Sequence, residues 1–246
     1  MTSSSQFTVL VLEDGPLQRT IRTALKGSNF LVEDIYTPEE ALSLLHQQQF
    51  DLVMLDVEHL RGLALIELCD KIRALAPQSG VLLVVTHNNE CDIVHALKAG
   101  ADDYISKPFR AADLISRCHV MMERARPAPI VDEGTIAAGD LELDVSRRQV
   151  RKAGKVVRLT PTEFRMLVLL MKNKGVALTH SELLRAIWGP EYGQELEYLR
   201  SYIRLLRKKI ETEPSQPEYL LTEPWVGYRF CEPVVSDRTK SNRRTL

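Results

Sequence analysis

Phe7-Thr8-Val9-Leu10-Val11-Leu12-Glu13-Asp14 is a short, nearly unbroken apolar run that stops at two acids. Six residues are too few for a core helix. A run that is apolar at successive positions also needs cover on both faces, which is the situation of a strand in a parallel sheet. The same grammar recurs along the first half. Phe30–Ile35 is a second run, Leu52–Leu55 leads into Asp56, and Val81–Val85 leads into Thr86. A shorter piece, Asp103–Ser106, is followed by Lys107-Pro108. Helical periodicity fills the gaps at 16–27, 38–48, 63–75, 90–99 and 110–125. Strand alternating with helix predicts an α/β fold, a doubly wound five-stranded parallel sheet with right-handed crossovers.

Downstream the rhythm breaks at Arg126-Pro127-Ala128-Pro129, and the spacing of prolines and Gly134 reads as a linker over 126–135. Short strand-like pieces follow at Leu141–Leu143, Gln149–Arg151 and Val156–Leu159, then helical patterns at 161–173, 180–188 and 195–211. Thr160-Pro161-Thr162-Glu163 places Thr at an N-cap, Pro at the first helical position and Glu at the third. Tyr219–Thr222 and Tyr228–Cys231 flank a turn with Pro224 and Gly227, which predicts a closing hairpin. The division is therefore a domain at 1–125, a linker at 126–135 and a smaller α+β domain at 136–232. The basic tail 233–246 reads as disordered.

The 246 residues suffice for two domains that each bury a core. The net charge of −1 conceals an asymmetry: residues 1–125 hold 11 Lys+Arg against 17 Asp+Glu, and the remainder holds 21 against 16. An acidic half joined to a basic half suggests a different partner for each. No run approaches the length of a membrane span, and Met1–Gln6 has neither the basic region nor the apolar core of a secretory signal. Cys69, Cys91, Cys118 and Cys231 are scattered, which favours a reducing, cytoplasmic setting over a disulfide framework.

In an open parallel sheet, ligands bind beyond the carboxyl ends of the strands. Here those ends carry Glu13, Asp14, Asp56, Thr86 and Lys107. Converging carboxylates repel unless a cation sits among them, and an all-oxygen set suits Mg²⁺. A metal, a hydroxyl and an ammonium around a central Asp are what phosphoryl transfer to a carboxylate needs. The motifs VLVLED, DLVMLD, VVT and GADDYISKPF resemble those of response-regulator receivers. That resemblance implies Asp56 as phosphoacceptor, Asp14 as direct Mg²⁺ ligand, Glu13 acting through water and the backbone carbonyl of Glu58 completing the set. It implies Thr86 and Lys107 as phosphoryl-binding groups, Tyr104 as a switch with Thr86, and a homodimer face that includes Asp103 and Arg117. Two departures are visible: the loop after Asp56 lacks the usual Pro, and His87 replaces a small residue.

Over 195–211, Leu196, Leu199, Ile203, Leu206 and Ile210 form an apolar stripe. The opposite face offers Tyr198, Ser201, Arg204 and Lys208, with Arg200 and Arg207 beside it, a suitable surface for a DNA groove. RLTPTEFRMLVLL, LLRAIWGP, IRLLRKKIE and VGYRF resemble the winged helix-turn-helix of the OmpR/PhoB family, most like its Kdp-type branch. By that resemblance 195–211 is the recognition helix, the hairpin carrying Tyr228 and Arg229 is a wing over the adjacent minor groove, and the 189–194 loop is a candidate contact for RNA polymerase. The function implied is transcription regulation by double-stranded DNA binding, under control of a sensor histidine kinase. The regulator itself is no enzyme, beyond its own phosphoryl transfer and slow hydrolysis. Two other readings stay open: a regulator that binds DNA without phosphorylation, and an Asp-nucleophile phosphatase with Glu58 as general acid.

Overall fold

The computed structural model describes residues 6–13, 15, 17–56, 60, 63–86, 97, 100–125, 134–190, 192–193 and 196–233. Five parallel strands, β1 (Phe7–Leu12), β2 (Phe30–Ile35), β3 (Leu52–Asp56), β4 (Gly80–Thr86) and β5 (Asp103–Lys107), lie in the order β2-β1-β3-β4-β5. Four described helices accompany them: α1 (Gln18–Lys26), α2 (Pro38–Gln47), α3 (Leu63–Leu75) and α4 (Ala111–Ala125). Strand alternation sorts the core. Val9, Val11, Leu52, Met54, Leu82 and Val84 pack with Ile21 and Leu25 of α1 and Leu114 and Cys118 of α4. Leu10, Val53, Leu55, Leu83 and Val85 pack with Ala41 of α2 and Leu65, Cys69 and Ile72 of α3. Both faces are covered, as the unbroken apolar runs require. The helix read at 90–99 lies outside the described residues apart from Leu97, which is buried.

The second half opens with an antiparallel meander, β6 (Thr135–Ala138), β7 (Leu141–Asp144), β8 (Gln149–Lys152) and β9 (Lys155–Val157). Helix α5 (Pro161–Lys172), strand β10 (Ala177–Thr179), helix α6 (His180–Trp188) and helix α7 (Leu196–Ile210) follow. The hairpin β11 (Leu220–Glu223) and β12 (Gly227–Phe230) closes the chain in a sheet ordered β10-β12-β11. Thr160 caps α5 as its sequence predicts, with Thr and Glu163 bonding each other's backbone N–H, and Thr37 and Thr179 cap α2 and α6 in the same way. Strands β6 and β10 are not evident from the sequence. Thr135-Ile136-Ala137-Ala138 lacks an apolar alternation, and β10 is three residues long, defined by its pairing with β12. The linker residues 126–133 and the tail residues 234–246 lie outside the described residues.

Candidate functional site

The carboxyl ends of β1, β3, β4 and β5 gather the expected chemistry. Parallel register pairs Leu12 with Leu55, so Glu13 and Asp56 follow at neighbouring strand ends, and it pairs Thr86 with Lys107. Glu13 and Asp56 are buried, 3% and 6% exposed. The Lys107 Nζ donates to Asp56 Oδ2 at 2.5 Å in a largely enclosed ion pair. Thr86 is exposed at the rim. Glu13 Oε1 accepts the Gly15 N–H at 2.9 Å. Among the described residues, Glu13 and Asp56 place two buried carboxylates at this sheet end, with the Lys107 ammonium on Asp56. Hard carboxylate oxygens in that setting fit Mg²⁺. Asp14, Glu58 and His87 lie outside the described residues.

Helix α7 departs from its sequence reading on one face. Arg200, Arg204 and Lys208 are exposed, with Arg200 paired to Glu197. Tyr198 and Ser201, expected on the free face, are buried at 4% and 7% exposure. The free face is therefore narrower than expected: Tyr198 is covered by Asp102 and Asp103 of the first half, and the Ser201 hydroxyl donates to Glu197 O within the helix. Leu196, expected in the core, is 36% exposed. Arg207 is a brace within the second half. Its guanidinium donates to Leu220 O and to Thr222 Oγ1, lies over the Tyr228 ring, and is held below the usual arginine pKa by burial. Tyr228 itself is buried, and Arg229 pairs with Glu223.

What covers α7 is the start of β5. Tyr202 donates its hydroxyl to Ala101 O at 2.7 Å, and Tyr198 donates to Asp102 O at 3.0 Å and Asp103 Oδ1 at 3.3 Å. Tyr192 donates to the same Asp103 oxygen at 2.9 Å, and the Trp188 indole N–H reaches Asp102 O at 3.4 Å. Burial, then Asp102 and Asp103, push the Tyr202 phenol well above its ordinary pKa, so it stays a neutral donor. Arg117 donates to Asp103 Oδ1 at 3.1 Å and stacks on the Tyr192 ring. Tyr104 meets Tyr198 edge to face with ring centres 5.8 Å apart. Arg73 fastens the acceptor turn from behind, bonding Gly100 O and Asp102 Oδ2. A single buried apolar cluster runs from the sheet into the second half.

Two family descriptions match this chain: Response regulator receiver domain over residues 9–119, and Transcriptional regulatory protein, C terminal, over 154–230. The KDP operon transcriptional regulatory protein KdpE of Escherichia coli is 36% identical over 225 residues, covering 90% of this chain and 98% of that protein. The chain is a response regulator of the OmpR/PhoB type. Its likeness extends to KdpE of Mycobacterium tuberculosis, at the same identity and coverage, which supports the Kdp-like branch. The DNA-binding response regulator MtrA of Mycolicibacterium smegmatis is 32% identical, covering 92% of this chain and 97% of that protein. A solved structure of a RitR mutant shares the fold at TM-score 0.72 and 24% identity, covering 91% of this regulator and 98% of that chain. The regulator is thus a phosphorylation-controlled, DNA-binding transcription regulator and not an enzyme, with DNA and a sensor kinase as partners. No helix among its described residues is long and apolar enough to cross a membrane.

The aromatic clasp is the part sequence reasoning missed. Tyr198 and Tyr202 are one helical turn apart, and with Trp188 and Tyr192 they make four polar-tipped rings within 15 residues. Buried phenols need acceptors, so that density was a signal for a second buried face on α7.

Proposed function

We propose that Asp56 is the phosphoacceptor, and that modification there frees α7 to bind DNA as part of a homodimer. The observation that carries this is the placement of both sites on one strand. β5 ends at Lys107, bonded to Asp56, and begins at Asp103 and Tyr104, which hold α7. Those ends are about 13 Å apart along an extended strand. In the transfer step an Asp56 carboxylate oxygen attacks phosphorus. The O–P bond forms as the N–P bond to the kinase imidazole breaks, and that nitrogen takes up a proton. Lys107 shifts from the carboxylate to a phosphoryl oxygen, and the Thr86 hydroxyl donates to another. Asp14, Asp56 and the Glu58 carbonyl, with Glu13 through water, would hold Mg²⁺, which would supply positive charge for the phosphoryl oxygens.

Drawing Thr86 inward opens space for Tyr104, whose ring then leaves Tyr198. The clasp loosens, and Asp103 and Arg117 become available to a second copy. The division at 1–125, 126–135, 136–232 and 233–246 gives each half its own task in a cytoplasmic regulator. Arg200, Arg204 and Lys208 meet DNA first; Tyr198 and Ser201 join once uncovered; Arg207, Tyr228 and Arg229 steady the wing. The 189–194 loop, freed with Tyr192, is the surface for RNA polymerase. The test is phosphorylation of the full chain with acetyl phosphate and Mg²⁺, followed by intact mass, oligomeric state and DNA affinity on the same sample. Asp56→Ala should take up no acyl phosphate and gain neither dimer nor affinity. Acyl phosphate on the Asp56→Ala chain would overturn the assignment.

A further inference from the structure

Trp225, at the tip of the β11–β12 hairpin, is 100% exposed, with Val226 beside it at 42%. Its φ of +64° lies in the left-handed region, where a bulky side chain is an outlier and glycine is at ease. Pro224 precedes it, and the Val226 N–H closes the turn on Glu223 O at 3.1 Å. Pro at the first corner and positive φ at the second is the type II pattern, whose second corner favours Gly or Asn. An indole there is doubly unfavourable in the free protein, through strain and through water-exposed apolar surface. Residues held in such conformations concentrate where a ligand is met.

The tip is also rigidly presented. Gly227, next along, packs so closely that a Cβ would lie 2.0 Å from Leu178 O. The His180 N–H holds Val226 O at 3.1 Å, and Arg207 ties α7 to Leu220 and Thr222 of β11. Hairpin and recognition helix are therefore tied to each other, with exposed Arg204 and Lys208 on the helix. A surface of that sign beside a bare aromatic suits a polyanion with apolar material within reach, which a DNA minor groove offers between its phosphate rails.

We propose that Trp225 enters the minor groove next to the site of α7 and wedges into a base step, so that this regulator selects DNA partly by how readily that step opens. The proposal rests on the DNA-binding reading above and adds a residue and a mode of selection to it. Flexible pyrimidine–purine steps accept such a wedge, and stiff A-tracts resist it. Because the indole carries no charge, its loss lowers affinity without changing the salt dependence.

The test uses the full-length chain phosphorylated with acetyl phosphate and Mg²⁺, and a duplex that this open form enriches from a random pool. The chain has two tryptophans, and Trp188 is buried, so acrylamide quenching reports chiefly on Trp225; a Trp225→Gly chain supplies the Trp188 background. Adding duplex should protect Trp225 from acrylamide. Trp225→Gly should bind about tenfold more weakly at an unchanged salt slope, with no loss of thermal stability. A 2-aminopurine placed at the wedged step should brighten with the natural chain and stay dark with Trp225→Gly. Replacing that step by an A-tract should weaken the natural chain alone. Undiminished quenching in the complex, equal affinity of Trp225→Gly, or protection without 2-aminopurine brightening would each overturn the wedge. If the full chain enriches no duplex at all, the DNA-binding reading falls first, and Arg204→Ala would show the same blank.

Discussion

Lys107 and Asp56 are worth most to each other. Their side chains are 12% and 5% exposed, so the ion pair is shielded from most of the screening that weakens surface pairs. Removing one member of a buried pair leaves a charge without compensation, at a cost of about 3–5 kcal/mol. Lys107→Met should therefore destabilise the metal-free regulator by an amount in that range, read as a drop in urea midpoint. Adding Asp56→Asn to it should restore much of the loss; a double variant as unstable as the single would mean Lys107 acts through packing alone. On α7 the exposed Arg204 is the residue on which the proposed DNA contact is most directly tested. Arg204→Ala should weaken specific DNA binding by about 1–3 kcal/mol if it meets a base edge, or lower the salt slope by roughly one if it meets phosphate. Unchanged affinity and unchanged slope together would retire it.

Helix α5 shows how a local signal survives into the fold. The Thr160 hydroxyl accepts the Glu163 N–H at 3.3 Å, the Glu163 carboxylate accepts the Thr160 N–H at 2.8 Å, and Lys209 of α7 adds a second bond to that carboxylate at 2.6 Å. Thr160→Ala should cost about 1 kcal/mol in chemical denaturation, since one orphan donor at the helix start loses its acceptor. A neutral result would mean that the backbone N–H at 160 and Lys209, both bonded to the Glu163 carboxylate, fix the helix start without the hydroxyl. The cap was legible because its residues are consecutive, and the sheet was legible because an apolar run with both faces buried looks the same in any parallel fold. Glu13, Asp56, Thr86 and Lys107 were legible for a related reason: each stands at or just past the end of its strand, so the strand register brings them together. Tyr198 and Ser201 were misplaced because a helical wheel yields one buried face, whereas α7 meets two partners. Its second partner is 95 residues away in sequence from Tyr198, beyond the reach of any local period. Strand β10 escaped for the same reason: three residues gain their identity only from β12.

At the scale of the whole molecule, the proposed function sets the clasp and the DNA surface in competition for α7, and the clasp and the proposed dimer face in competition for Asp103 and Arg117. The apparent DNA affinity is the intrinsic affinity reduced by the fraction of molecules that are open. Each buried hydroxyl bond contributes about 0.5–1.5 kcal/mol to closure, and a buried acceptor left without its donor costs about 1–3 kcal/mol. Tyr202 is the cleanest place to intervene. Its hydroxyl meets Ala101 O, its ring packs on Trp188, and it is 1% exposed and outside the set expected to touch DNA. Tyr202→Phe keeps the ring and removes the bond. It should raise the DNA affinity of the unphosphorylated full chain about tenfold, the equivalent of about 1.4 kcal/mol withdrawn from the closed state. On the proposed function the phosphorylated chain is already open, so its affinity should not change, and the gain on phosphorylation should shrink by the same factor. Dimers should appear in the unphosphorylated variant at lower protein concentration, because Asp103 and Arg117 are released together. Fluorescence anisotropy with labelled duplex, run beside sedimentation with and without acetyl phosphate, measures all of these quantities. Parallel loss of affinity in both phosphorylation states would instead make Tyr202 a support of the second half alone, and the clasp would be packing rather than control.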